Sequence, residues 1–187
     1  KALKDAGCNT LMMGVENGDD HIRNEVLNKG ISSEQIIEAG RLIKEAGIKL
    51  WTFNMVGVPY ETTETIEKTI DLNKRIKADI VFVSTFYPFP GTRLGDLCER
   101  EGWISDRQIK GFFSNVTVLD QPSISKEDVA YYHNIFPWAI LYPRFLFVIK
   151  ILNKIKLARG KSVYSYLFPL VKSIYEIYYR IKITLKL

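Results

Sequence analysis

Gly14-Val15-Glu16-Asn17-Gly18, Met55-Val56-Gly57-Val58-Pro59-Tyr60-Glu61-Thr62 and Tyr87-Pro88-Phe89-Pro90-Gly91-Thr92 are the stretches on which the fold turns. Each closes an apolar run and opens a turn or a helix-like segment. Gly, Pro or a carboxylate therefore stands at three successive strand ends. In parallel α/β sheets, ligands bind along that edge.

Working outward, Thr10 to Val15 reads as a short buried strand. Asp19-Asp20 caps a helix reaching about Leu27, which Lys29-Gly30 ends. Ser32 with Gln35 three residues later is a capping signal, and Ile36, Ile37, Ala39, Leu42, Ile43 and Ala46 follow at helical spacing. Ile48 to Val56 reads as a second strand, Thr62 to about Ile76 as a helix, and Asp79 to Phe86 as a third strand. The near-continuous Ile80-Val81-Phe82-Val83 run suits a parallel strand covered on both faces. A strand–helix repeat of roughly 30 to 40 residues is the size of a βαβ unit, so the sheet is expected to be parallel with right-handed crossovers. Arg93 to Glu101 reads as a short polar helix, and Gly111 to Leu119 as an extra strand or a covering loop. Ser125-Lys126-Glu127-Asp128 caps another helix, and two aromatic, basic helices are expected over Ala139–Leu157 and Ser162–Leu185.

The chain has 187 residues, 47% hydrophobic and 25% charged, which suits a folded domain with a sizeable core. It opens on Lys1-Ala2-Leu3-Lys4-Asp5-Ala6-Gly7, the tail of an amphipathic helix, and is expected to begin inside a domain. From Trp138 onward 10 basic residues stand against one acidic residue, whereas Lys1 to Pro137 holds 16 basic and 20 acidic. This split predicts two parts, 1–120 and 121–187, with a boundary near 120–135. Cys8 and Cys98 lie far apart, so buried free thiols in a reducing, cytoplasmic setting are expected in place of a disulfide or zinc site. His21 and His133 are isolated and expected at the surface or in the core, and Arg23 on a solvated helix position.

The segments AGCNTLMMGVENGDD…LNKG, AGIKLWTFNMVGVPYETTETIEKTI and VSTFYPFPGTRL, in this order and spacing, resemble the second half of the radical S-adenosylmethionine superfamily. The subgroup is one that often carries an upstream cobalamin-binding domain. The resemblance covers about Leu3 to Trp103. It implies an α/β fold, the C-terminal half of a partial (β/α)6 barrel with parallel strands, followed by a mainly helical basic tail. It also implies three cofactors: S-adenosylmethionine, a [4Fe–4S] cluster with ligands upstream of this chain, and, in that subgroup, cobalamin in an upstream domain. The three-cysteine loop that holds the cluster does not occur in this sequence, nor does the Gly-Gly-Glu-type motif that holds the methionine amino group. The fragment alone is thus expected to be inactive and to cradle the cofactor within a larger enzyme. A non-catalytic, degenerate half-barrel serving as a scaffold is the alternative.

The resemblance assigns cofactor contacts residue by residue. Glu16 faces the ribose or methionine part of the cofactor; a surface salt bridge or a helix cap is the plain alternative. A carboxylate there can take two or more hydrogen bonds from a diol or an ammonium. Lys29 either holds the cofactor carboxylate or complements a helix dipole. Met55 packs on adenine or is simple core. Gly57 lets backbone approach adenine where a side chain would intrude. Backbone groups of Phe86 and Tyr87 read the adenine edge. The strand pattern GxIxGxPxE is met by Met55, Gly57, Pro59 and Glu61, but Phe53 stands where its first Gly belongs. Asn54 is expected to face away from Phe53 and Met55, and Glu61 to cap the helix near Thr62 and hold the Gly57 loop. No residue of the chain is assigned to catalysis or to a metal.

The tail is expected to supply a further contact. Ile135 to Leu152 is strongly apolar but interrupted by Pro137, Pro143, Arg144 and Lys150, and Tyr164 to Leu187 alternates aromatics with cations. Such helices lie along an anionic membrane surface, here the inner face, or pack on their own protein. The expected partners are the upstream part of the same protein, a small lipid-like or tetrapyrrole substrate and a membrane surface, with no nucleic acid.

Overall fold

The computed structural model describes residues 1–105, 114–141, 151 and 173. Three strands, β1 (Thr10–Glu16), β2 (Lys49–Val56) and β3 (Ile80–Thr85), form a parallel sheet in the order β1-β2-β3. Between them run α2 (Ser33–Glu45) and α3 (Thr63–Ile76); α1 (Ala2–Asp5) precedes β1, and α4 (Arg93–Arg100) and α5 (Lys126–Leu141) follow β3. The expected α/β repeat is present, with strand ends within a residue or two of those read from the sequence.

The helix starts form for local reasons. The Ser32 hydroxyl accepts from Gln35 N while the Gln35 side chain accepts from Ser32 N, and Thr62 and Thr65 repeat the exchange at α3. Thr92 accepts from Gly95 N at α4, and Ser125 Oγ accepts from Asp128 N at α5. The segment after β1 differs from expectation. Asp19 Oδ1 accepts from Ile22 N as a cap would, but Ile22–Val26 is a π-helical turn, closed from Leu27 N to Ile22 O.

Two faces of the sheet have different partners. Outward, Val15 packs with Ile36, Leu72 and Ile76 of α2 and α3. Val129, Tyr132, Ile135 and Phe136 of α5 are buried, and α5 packs on β3, α3 and β2. The opposite face carries Met12, Gly14, Trp51, Phe53, Met55, Ile80, Phe82 and Ser84, placed side by side by the register Met12↔Trp51↔Ile80 and Gly14↔Phe53↔Phe82. This inner face is half-buried, and Met12 is 62% exposed, so β3 is covered on one face more than on the other among the described residues. A second apolar cluster joins the segments that follow the strands: Ile22, Val26, Val58, Phe86, Cys98, Val118 and Leu119.

Lys1–Tyr142 forms one compact unit and Pro143–Leu187 a second. Ile104 and Leu119 make an isolated antiparallel bridge, so the segment before Leu119 is a covering loop as far as it is described. The helices expected over Ala139–Leu157 and Ser162–Leu185, and with them the membrane-facing tail, lie largely outside the described residues. Among the described residues no helix is long and apolar enough to cross a membrane.

Candidate functional site

The turn that ends β1 is the least ordinary backbone in the sheet. Asn17 N donates to Val15 O at 2.8 Å, closing a three-residue turn with Glu16 at its apex. Glu16 sits there at φ 63°, and the pairing with β2 shifts register between Gly14 and Glu16. A non-glycine residue in this left-handed region costs about 1–3 kcal/mol. The turn carries the Glu16 carboxylate back over Gly14: a Cβ on Gly14 would lie 2.4 Å from Glu16 Oε1 and 3.5 Å from Lys29 Nζ. Glycine at 14 therefore makes the room in which these two charges meet. Lys29 Nζ stands 3.3 Å from Glu16 Oε1, with the side chains 38% and 21% exposed.

Next to this pair lies an aromatic floor. Phe53, opposite Gly14, stacks on Phe82 with ring centroids 5.0 Å apart and planes 12° apart, and Trp51 leans on Phe82 at 5.7 Å. The indole N–H of Trp51 is buried with no acceptor among the described residues.

Gly18 completes the Gly14-x-Glu16-x-Gly18 pattern for a different reason. A Cβ there would come within 2.4 Å of the Thr69 backbone, and Gly18 N donates to Thr69 Oγ1 at 2.7 Å. The loop after β1 is thus pressed onto α3.

The turn after β2 is held by a second carboxylate. Glu61 is wholly buried, and its Oε2 accepts from Gly57 N at 2.5 Å and Val58 N at 3.3 Å while Oε1 accepts from Asn17 Nδ2 at 2.5 Å. Burial pushes its carboxyl up to about 8, against the opposing pull of those three N–H groups. Glu61 does hold the Gly57 loop as expected, but the helix cap is Thr62, paired with Thr65. Arg23 departs further from expectation. It is 0% exposed, because its Nε donates to Ile31 O at 2.9 Å, one terminal nitrogen to Asn17 O at 2.9 Å, and the other to Ser33 Oγ at 3.2 Å and to Asp20. A guanidinium so fully paired has no need of water.

Of the six expected contacts, the structure brings Glu16 and Lys29 together. Met55 is half-buried on the inner face and packs on the cluster of the post-strand segments, as do the Tyr87 ring and, inside it, Phe86. The Phe86 amide donates to Val56 O at 2.8 Å and so serves the sheet. For Gly57 the fold supplies a local reason for glycine. Gly57 has φ 77°, and its Cβ direction meets Val129 Cγ1 of α5 at 3.2 Å, so glycine is required there by backbone conformation and helix packing. Asn54 faces away from Phe53 and Met55 as expected: it accepts from Asn73 Nδ2 at 2.7 Å and donates to Phe82 O at 3.0 Å. Asn17 was not singled out from sequence, and Arg23 was expected only on a solvated helix position. Polar Thr69 and Asn73, spaced i, i+4 on the apolar face of α3, were the available sign of a polar layer behind the strands.

Cys8 is partly buried and Cys98 fully, and burial pushes the Cys98 thiol up to about 11. Neither suits a cluster ligand, and among the described residues no three His, Cys, Asp or Glu side chains gather as a metal site. S-adenosylmethionine fits better. It offers a planar base, a ribose diol, an ammonium and a carboxylate, and the inner face offers an aromatic floor, a carboxylate, an ammonium and a glycine-made recess. A separate open groove of about 370 Å³ lies between His21, Glu25, Tyr60, Arg93 and Leu97, and none of the six expected contacts lines it.

Residues 1–72 match the family model described as the Radical SAM superfamily. An uncharacterized methyltransferase of Pyrococcus horikoshii is 36% identical over 94 residues, which is 50% of this chain and 20% of that protein. The tRNA-2-methylthio-N(6)-dimethylallyladenosine synthase of Aquifex aeolicus is 34% identical over 101 residues, 53% of this chain and 22% of that protein. The solved structure of coproporphyrinogen III oxidase from Escherichia coli, described as a radical SAM enzyme, is 18% identical, with a TM-score of 0.48 over 79% of this chain and 28% of its own. The chain spans about a fifth of the length of the curated relatives it matches. The match to the Radical SAM superfamily model thus covers the first two strands and the helices between and after them, where the parallel strands end in the expected turns.

Proposed function

We propose that this chain forms the S-adenosylmethionine cradle of a radical enzyme whose cluster ligands lie elsewhere in the protein. One observation carries the reading. The strained turn at Glu16 sets a carboxylate, paired with Lys29, over the recess of Gly14 beside the Phe53–Phe82 stack. Strain of this kind persists where surroundings over-determine it, and such places cluster at ligand sites.

When bound and reduced by a [4Fe–4S] cluster, S-adenosylmethionine supplies radical hydrogen-abstraction chemistry. The residues of this chain bind and orient. Glu16 accepts hydrogen bonds from the ribose diol or the ammonium, and Lys29 is then free to meet the carboxylate. Phe53 and Phe82 present an apolar floor for the planar base and exclude water from it. The names of the two relatives point to methyl or methylthio transfer as the reaction class. Cobalamin enters this proposal through the resemblance of the strand-end motifs alone.

The test uses the whole protein, reconstituted anaerobically with iron and sulfide and supplied with S-adenosylmethionine and a reductant. The expected result is release of 5′-deoxyadenosine, lost with Glu16→Ala. No 5′-deoxyadenosine from a cluster-loaded protein, or full release from the variant, ends the reading.

A further inference from the structure

We infer that Asn17 is a positioning residue for the Glu16 carboxylate, clasped between Arg23 on one side and Glu61 on the other so that the strained turn cannot relax. The inference rests on the reading of Glu16 as a cofactor contact. It extends that reading to Asn17, Arg23 and Glu61.

Asn17 is 0% exposed, and four of its polar groups are engaged. Its amide N closes the turn onto Val15 O at 2.8 Å, and its carbonyl accepts from Arg23 at 2.9 Å. Its Oδ1 accepts from Asp19 N at 2.9 Å, and its Nδ2 donates to Glu61 Oε1 at 2.5 Å. Arg23 is itself fixed at Ile31 O and Ser33 Oγ, and Glu61 at the amides of Gly57 and Val58. The turn after β1 is therefore locked to the turn after β2 through one side chain. Without these anchors the backbone at Glu16 would fall back to an ordinary extended or helical conformation. The carboxylate would then leave the recess over Gly14.

The bond between Asn17 and Glu61 has a fixed polarity, which makes it testable. Asn17 must donate, because its Oδ1 is held by Asp19 N. Glu61 must accept with both oxygens, because Oε2 is held by two backbone amides. Glu61→Gln then sets an NH2 group against an NH2 group. Asn17→Asp sets a carboxylate against a carboxylate. The double variant restores one donor and one acceptor with direction reversed, Gln donating to Asp.

The experiment measures the Kd of the whole protein for S-adenosylmethionine by anaerobic equilibrium dialysis. It is run at about pH 8.5, where Glu61 carries most of its charge. A thermal melt of each variant reports folding. Each single variant is expected to bind about tenfold more weakly or worse, the loss associated with one unmatched buried polar contact, and the double variant to recover to within about threefold of wild type. Folded single variants that bind like wild type, or a double variant whose loss is the product of the two, overturn the inference. If a single variant does not fold, the double variant decides alone: near wild-type affinity supports the clasp and weak binding overturns it. Glu16→Ala separates the two readings. Wild-type affinity in Glu16→Ala ends the cofactor reading, whereas a weak Glu16→Ala beside tight Asn17→Asp and Glu61→Gln ends only the positioning.

Discussion

Glu16 and Glu61 are carboxylates in the turns after neighbouring strands, and their surroundings could hardly differ more. Glu16 keeps a 21% exposed side chain, a single cation at 3.3 Å and a strained backbone. Glu61 is wholly buried, accepts from three N–H groups and has no ion-pair partner among the described residues. An incompletely satisfied carboxylate on a strained turn is placed to accept hydrogen bonds from something else. A fully satisfied one in the interior shapes the loops around it. Position relative to a strand end thus does not assign a role; the count of donors already present does.

The largest effect expected from breaking this contrast is Glu61→Ala. It leaves the amides of Gly57 and Val58 and the Asn17 Nδ2 group buried without an acceptor, and should cost about 4 kcal/mol of unfolding free energy in a denaturant titration. Gly18→Ala follows, because its Cβ meets backbone of α3 at 2.4 Å; about 3 kcal/mol is expected by the same measurement.

The third prediction concerns pH. Glu61 has a folded-state value of about 8 against an ordinary 4.5, so the folded protein binds its proton more tightly than the unfolded chain does. The stability it contributes is fully present below about 4.5, declines as pH rises, and is gone above about 8. Its total is on the order of a few kcal/mol. Plots of stability against pH for wild type and Glu61→Gln should therefore differ in slope within that window and run parallel below and above it; parallel plots throughout would mean that Glu61 does not titrate there.

Glu16 should behave in the opposite way. Glu16→Gly removes a left-handed side chain and should stabilise the protein by about 1 kcal/mol while weakening S-adenosylmethionine binding. A loss of stability would show that the strain is not relieved. Lys29→Met is the mildest change. The pair is partly exposed, so a cost below about 1 kcal/mol is expected in a thermal melt, shrinking further in high salt.

Much of the scaffold was legible because its causes are local. Apolar runs of strand length, the Ser32–Gln35 and Thr62–Thr65 boxes and the Thr92 cap each act within a few residues of themselves. The pairing of Glu16 with Lys29 was partly legible, as a carboxylate at a strand end and a cation after the next turn. Arg23 was not. Its burial depends on carbonyls of Asn17 and Ile31 that come together only when the π-helical turn is folded. Gly57 was legible as a required glycine, yet the requirement comes from its φ of 77° and from Val129, which lies 72 residues on.

The sequence by itself determined the alternation of strand and helix, the helix starts and the residue types available at the strand ends, since periodicity and capping are short-range. Only the tertiary structure decided which of those residues are spent on the protein and which remain to meet a ligand. Donors and acceptors are satisfied across loops far apart in the chain, and a side chain's chemistry follows from how many of its hydrogen bonds the fold has already filled.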